Sequence, residues 1–530
     1  MTIRKNWFVY LTLILFEICA LYALFSIVTD MARGKRYSFI WYGGIICFLA
    51  AATVFVHVAL KLTTRLNLAI IKSAKERKSI FVERIIVGSV LLVSAALRIW
   101  ALTKLPITPS SDYQTYFQVA DLLSKGTLSS SGYSGYIAEF PHVIGYPFVL
   151  SLLFRITGPS LLAGLGVNLM ASLACVYLTY RIARTLCGRL GGMGALCAAA
   201  FWPSQILYGT ILASEPVFTC ILLLTIWLFI FFFRYPAKLE NREGAMFLCI
   251  ALGVLTALAA AIRPLSQILL IAILLCMLPF IVRFNNNEKM LNGKLIRASC
   301  QGWFVALVVF FSFFICNLLI SSSISNTIAY KLPGSGVSFG YNLMVGVNID
   351  AKGAWNQQDA DFFANQFAQT NSPDAAHQAS IDVALDRIGK DPAGVLNLAM
   401  EKFTLLWQND DYAETWTTLF LDQQGTLTPE RQHIINQFSN VNDYFYLLGV
   451  FFSSLFGFSL FKRKNIGPEH GLILLFIGTV ILHMLLESQN RYHYFILPVF
   501  MILASMGISQ IYRSYVCTRA VHQDQCEKCD

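Results

Sequence analysis

Long apolar runs separated by short polar connections dominate the chain. They fall near residues 7–29, 38–61, 80–101, 160–183, 190–210, 216–233, 246–262, 265–282, 302–320, 441–461, 470–487 and 493–513. Several exceed the roughly 18 residues that mark a membrane-spanning helix. The pattern predicts an all-α polytopic membrane protein with about 12 transmembrane helices. Two stretches depart from it. Residues 143–157 are apolar but short, interrupted by Tyr146-Pro147 and closed by Gly158-Pro159. About 15 residues do not cross a ~30 Å core easily, so this piece is expected to lie along the membrane surface. Residues 321–438 are polar, with helical periodicity in 358–370, 377–390 and 393–407 and helix starts at Ser372-Pro373 and Asp391-Pro392. They are expected to form a small, mainly helical extracytoplasmic cap.

The resulting organisation is a two-span hairpin and basic linker (1–78), a membrane module (79–320) with a first outer loop at 102–158, the cap (321–438), the last spans (439–513) and a tail (514–530). Lys and Arg in short loops set sidedness. The cluster Lys61, Arg65, Lys72, Lys75, Arg77, Lys78 and Arg84 places the first linker in the cytoplasm. Arg181, Arg184 and Arg189 join it there if 143–157 does not cross. Both termini are then cytoplasmic, and residues 102–158, Glu215, Arg263 and 487–493 share the outer face. If 143–157 does cross, every later loop inverts. Arg33, Lys35 and Arg36 stand on the outer side as an exception to the rule. The run from Trp7 to Val28 is longer than a signal h-region and lacks a small-residue cleavage site, so it reads as a retained helix.

Composition agrees with a membrane setting. Only 13% of the 530 residues are charged and 56% are apolar, against about a quarter charged in soluble domains. The net charge of +10 belongs to topology and not to nucleic acid. The cap opposes it, with 13 acidic and six basic residues. The 13 cysteines are scattered through apolar runs, and none lies between residues 321 and 438, so the cap has no disulfide of its own. Cys526 and Cys529 have CxxC spacing without the second pair that a tetrahedral metal site needs.

Candidate chemistry collects at the outer ends of the spans: Arg98, Asp112, His142, Glu215, Arg263, Glu487, Arg491 and His493. Charges there usually face a protein interior or a water-filled cavity. Arginines can hold a leaving phosphate bidentately, and a carboxylate can take a proton from an acceptor hydroxyl. Each residue also has a structural reading. Asp112 can cap the helix-like 113–125, Glu215-Pro216 can start a helix, and Arg263-Pro264 can be a snorkelling turn. His142 can be a satisfied interfacial histidine, and Asp410-Asp411 reads as a solvated turn. The run from Glu487 to Tyr494 is unusually polar for a short loop between two spans.

Four motifs, in this order and on this side, resemble the GT-C superfamily of polyprenyl-phosphate-sugar-dependent glycosyltransferases, in particular the protein O-mannosyltransferase and aminoarabinose-transferase branch. They are Arg98 followed by Asp112-x3-Tyr116-x3-Ala120; Pro141-His142-x2-Gly145-Tyr146-Pro147 with Gly158; Ser214-Glu215-Pro216 after Arg181-x2-Arg184-x4-Arg189; and Glu487-x3-Arg491-Tyr492-x5-Pro498. The resemblance covers roughly residues 80–510. It implies a GT-C fold, a bacterial inner-membrane location, an undecaprenyl- or dolichyl-phosphate donor carrying one sugar, and inversion at the anomeric carbon. It assigns the base to Asp112 and the donor phosphate to Arg263 and Arg491, with Tyr492 beside Arg491. Arg98, Tyr116, His142, Tyr146, Glu215, Glu487 and His493 are expected to position substrate. One acid stands where the mannosyltransferases have a pair, since Ser111 precedes and Tyr113 follows it; whether a divalent cation assists stays open, and no other cofactor is expected. The expected partners are the donor lipid, a glycan or protein acceptor and the bilayer. The alternatives are a glycan polymerase or ligase of the O-antigen type, which leans on arginines without an early-loop acid, and a lipid or sugar transporter, which would carry inverted repeats and mid-membrane charges.

Overall fold

The computed structural model describes residues 7–33, 43–54, 56, 58, 76–234, 242–277, 292–462 and 467–521. Among them the regular structure is entirely helical. Much of the basic linker 59–75, the linker residues Lys238, Arg283 and Lys289, and the Cys526–Cys529 pair lie outside the described residues.

Among the described residues eight helices are long and apolar enough to cross a membrane: Trp7–Ala32, Ile80–Lys104, Leu161–Phe201, Glu215–Arg234, Glu243–Ile262, Trp303–Ile328, Pro429–Leu460 and Asn490–Tyr512. Gly43–Val54, Ser266–Met277 and Glu469–Leu485 are shorter apolar helices. The 41-residue Leu161–Phe201 element is two helices joined at Gly188, whose φ of 84° and ψ of −169° leave helical space. Glycine enters that region at little steric cost. The break falls between the two runs expected at 160–183 and 190–210. The second helix stops at Phe201, short of the expected 210, because Trp202 is extended and Pro203 opens a new short helix to Tyr208. Every predicted span therefore has a helix, although only eight pass as full-length spans among the described residues.

The piece expected at the membrane surface is Gly145–Thr157, folded back at 120° from Tyr133–Glu139. Gly145 seats it: a Cβ there would stand 2.1 Å from the Ala261 carbonyl oxygen. That close approach brings the loop carrying His142 to the end of the Glu243–Ile262 helix, one residue before Arg263.

Arg98 corrects the sequence reading. Its side chain is 2% exposed and is spent on backbone. Nη1 donates to the Ala200 carbonyl at 3.1 Å and Nη2 to that of Ala199 at 3.4 Å, with Ser94 Oγ as a further partner. It satisfies the carbonyls left over at the end of the helix that finishes at Phe201, and so joins two helices where the sequence reading expected a substrate contact.

In the polar segment, Gln357–Thr370, Pro373–Lys390 and Pro392–Trp407 follow the expected periodicity. Each is capped as the sequence allows: the side chains of Asn356, Ser372 and Asp391 accept from Asp359 N, Ala375 N and Gly394 N. Gly340–Gly346 and Tyr412–Gln423 complete it. The segment is joined to the membrane part by Phe140, whose ring packs on Tyr341 and Phe363, and by a His377 Nε2 hydrogen bond with the Glu139 carbonyl at 3.0 Å. Inside it, Arg387 grips Asp359 with two N–H donors at 2.6 and 3.0 Å. Burial pushes the Asp359 carboxyl up, but Arg387 with Asn348 and Asn356 outweighs that and holds it below its ordinary value.

Candidate active site

Asp112 sits in the first turn of the Ser111–Lys125 helix, whose N-cap is Ser110. It is thus not the cap itself. The residue just before it, Ser111, has a φ of 52°, a left-handed conformation that costs energy for a residue with a side chain. The Asp112 side chain is 45% exposed and meets Arg491 Nη2 at 2.9 Å through Oδ2.

Arg491 comes from the 3-10 turn Asn490–Ile496 that leads into the last helix. Its Nη1 donates to Tyr113 Oη at 2.6 Å. Its guanidinium carbon lies 5.0 Å from the ring centre of Trp416, 5.4 Å from that of Tyr113 and 5.9 Å from that of Tyr492. Such aromatic walls favour a cation. Its Nε has no hydrogen-bond partner among the described residues.

From Tyr113 the contacts continue inward. Tyr113 and Tyr208 share a hydroxyl hydrogen bond of 2.9 Å, and Tyr208 Oη donates to Glu215 Oε1 at 3.1 Å. The same carboxylate oxygen takes Arg263 Nη2 at 2.5 Å, while Arg263 Nε donates to Ser214 Oγ at 3.2 Å. Arg263 also lies 6.0 Å from the Tyr492 ring centre, so that ring serves both guanidinium groups. Asp112, Arg491, Tyr113, Tyr208, Glu215 and Arg263 thus form one connected chain. It brings the start of the Ser111–Lys125 helix, the stretch leading into Glu215 and the turn before the last helix to one place.

The other expected residues fall at different distances from this chain. Tyr116 packs edge-on against Tyr146 at 5.4 Å. Tyr146 Oη donates to Asn168, whose amide holds the carbonyls of Ile211 and Ala213; Tyr146 therefore shapes the connection into Ser214-Glu215. His142 lies within electrostatic reach of Arg263 and Asp112. Glu487 accepts from Gln489 Nε2 at 2.8 Å, and its burial raises the carboxyl above its ordinary value.

Two readings are overturned. Asp410 is no solvated turn: it is 2% exposed. His493 does not face the site, because its Nε2 binds Asp410 Oδ1 at 2.9 Å with both side chains fully buried. Sequence reasoning also left out Tyr208 and Trp416. Tyr208 follows Pro203 in an apolar stretch, and Trp416 belongs to the polar segment, so neither carries a local signal.

The donor set does not fit a divalent cation. Among the described residues no three His, Cys, Asp or Glu side chains converge to hold a metal ion, and a guanidinium stands against Asp112.

No family model and no curated protein sequence matches the chain. Among solved structures it is similar to an Archaeoglobus fulgidus oligosaccharyltransferase and to ArnT from Cupriavidus metallidurans. The archaeal protein, tethered with an acceptor peptide containing the NVT sequon, shares 13% identity, with 83% of this chain and 51% of that chain covered and a TM-score of 0.43. Its apo form gives 12% identity, 83% and 52%, and 0.44. ArnT, bound to undecaprenyl phosphate, gives 13% identity, 85% and 80%, and 0.29. The chain spans about half the length of the archaeal chain it matches. With every TM-score below 0.5, the site is read from its own geometry.

That geometry offers one half-exposed carboxylate with a walled guanidinium against it, and a second guanidinium near the same Tyr492 ring. It can accept a proton beside a held anion.

Proposed function

We propose that this chain is an inverting glycosyltransferase of the GT-C type, moving one sugar from a polyprenyl-phosphate donor to a glycan, lipid-linked glycan or protein acceptor on the extracytoplasmic face of the inner membrane. The observation that carries the reading is the pair Asp112–Arg491: a reachable carboxylate in contact with a buried, aromatic-walled arginine at the end of a membrane helix. In this reading the acceptor hydroxyl gives its proton to Asp112 as its oxygen bonds to the anomeric carbon. The bond from that carbon to the phosphate oxygen breaks with its electron pair, so the phosphate leaves with one more negative charge than it had as a diester. Arg491 and Arg263 stabilise that developing charge, as preorganised donors do best in a site shielded from water. Because Arg491 already contacts Asp112, the donor phosphate draws the guanidinium away from the carboxylate and leaves the base free for the acceptor.

Transfer from a polyprenyl-phosphate sugar by the full-length protein in proteoliposomes tests this. Asp112→Asn, an isosteric change, should abolish transfer while expression and thermal unfolding hold; wild-type transfer by Asp112→Asn would overturn the assignment. Labelling of single cysteines introduced at positions 130 and 185 tests the sidedness, with position 130 expected to react from outside.

A further inference from the structure

Asp410 touches neither Asp112 nor the two arginines, yet it holds both arms on which they are displayed. Its carboxylate is fully buried and takes four side-chain donors. Oδ2 accepts from Trp202 Nε1 at 2.7 Å, Ser204 Oγ at 2.7 Å and Asn442 Nδ2 at 3.2 Å; Oδ1 pairs with His493 Nε2 at 2.9 Å. Asn442 closes the network by donating to the Asp410 carbonyl at 2.7 Å and accepting from Ser204 N at 3.2 Å. A buried carboxylate is tolerated only with such a full set of donors.

One arm is the 3-10 turn Asn490–Ile496. With three residues per turn, positions two apart point in different directions; Arg491 faces the site and His493 faces the core. His493 is boxed by Tyr446, Tyr412 and Trp407, with ring-centre distances of 6.0, 5.4 and 5.8 Å, and its Nδ1 has no partner among the described residues. Among the described residues Asp410 is therefore the one polar anchor of this ring, and through it of the turn that carries Arg491. The other arm is Pro203–Tyr208. Trp202 and Ser204, at its start, bind Asp410, and Tyr208, at its end, joins Tyr113 to Glu215.

We infer that Asp410 is a positioning residue for the transfer reaction, setting Arg491 through His493 and Tyr208 through Trp202 and Ser204. This rests on the donor-phosphate reading of Arg491. It predicts a defect in donor use that disappears when Arg491 is gone, which a residue serving stability alone would not produce.

A double-mutant cycle on the full chain in proteoliposomes tests it, with kcat and donor KM measured for Asp410→Asn, His493→Gln, His493→Ala, Arg491→Ala and the doubles of Asp410→Asn and His493→Ala with Arg491→Ala. Asp410→Asn should lower kcat/KM for the donor by about tenfold in the wild-type background and by less than about twofold in the Arg491→Ala background. His493→Gln, which keeps a donor amide, should recover most of the loss seen with His493→Ala; that pair carries the same test if Asp410→Asn does not fold. Equal losses in both backgrounds, or wild-type kinetics for Asp410→Asn beside an impaired Arg491→Ala, would overturn the inference alone. Wild-type donor kinetics for Arg491→Ala would overturn the donor reading and this inference with it.

Discussion

Arg491 meets Asp112 at 2.9 Å and Arg263 meets Glu215 at 2.5 Å, and both guanidiniums lie beside the ring of Tyr492. The two pairs bury different partners. In the first the arginine is 6% exposed and the acid 45%; in the second the arginine is 12% exposed and the acid 3%. An acid that solvent reaches can also be reached by an acceptor. An acid as buried as Glu215, bonded to both Tyr208 and Arg263, fixes the geometry of its surroundings. The same residue types thus serve two purposes in one site, and motif spacing alone puts both arginines in a single class.

The largest effect should separate the two acids. Asp112→Asn is expected to lower turnover by about 10³-fold, the range of a lost general base, while polyprenyl phosphate binds at least as tightly because Arg491 loses its competing carboxylate. Glu215→Gln should cost less activity, about tenfold, but bring a clear drop in thermal unfolding temperature. Measuring turnover and lipid-phosphate binding on both variants decides it; equal profiles would mean that the pairs do not differ in role.

Next come the arginines. Arg491→Ala should cost about 10²-fold in turnover, as for loss of one donor to a developing anion, and Arg263→Ala less, because part of its capacity already serves Glu215 and Ser214. Trp416→Ala should be smaller again, about two- to fivefold in donor KM, since an aromatic face contributes on the order of 1 kcal/mol to a partly desolvated cation. Donor-concentration series on the three variants give the order directly.

Much of this was legible from the chain. The apolar periodicity located the long apolar helices and the short helix Gly145–Thr157, and the Pro and Asx signals located the starts of Pro373–Lys390 and Pro392–Trp407. Asp112, Glu215, Arg263 and Arg491 come together as sequence order and sidedness imply. What was not legible depends on contacts between distant segments. Arg98 at a span end looks like a site charge until the carbonyls of Ala199 and Ala200 are beside it. Asp410, flanked by Asn409 and Asp411, has the local composition of an exposed turn; only the fold brings Trp202, Ser204, Asn442 and His493 around it. A buried polar residue and a solvated one can have the same neighbours in sequence.

The smallest effect concerns how the Arg491 side is tethered. Lys402, 1% exposed, points its ammonium at three carbonyls, Gly346 at 2.8 Å, Met484 at 3.1 Å and Leu486 at 2.7 Å, and so ties the polar segment to the connection that leads to Glu487 and Arg491. Lys402→Met should therefore lower turnover a few-fold (about two- to fourfold) and leave the Glu215–Arg263 side intact. Burial pulls the Lys402 amine down from 10.5 to about 8, against a smaller opposing pull from Glu487. Between those pH values the unfolded chain holds a proton that the folded protein has shed, so stability from this group rises as pH climbs from about 8 towards 10.5 and is lost as pH falls back through 8. The gain is at most about 3 kcal/mol. Wild type should thus gain in unfolding temperature relative to Lys402→Met between pH 7.5 and pH 9.5. A shift in the opposite direction would mean that the three carbonyls stabilise the ammonium by more than its burial costs, and that the tether is strongest when charged.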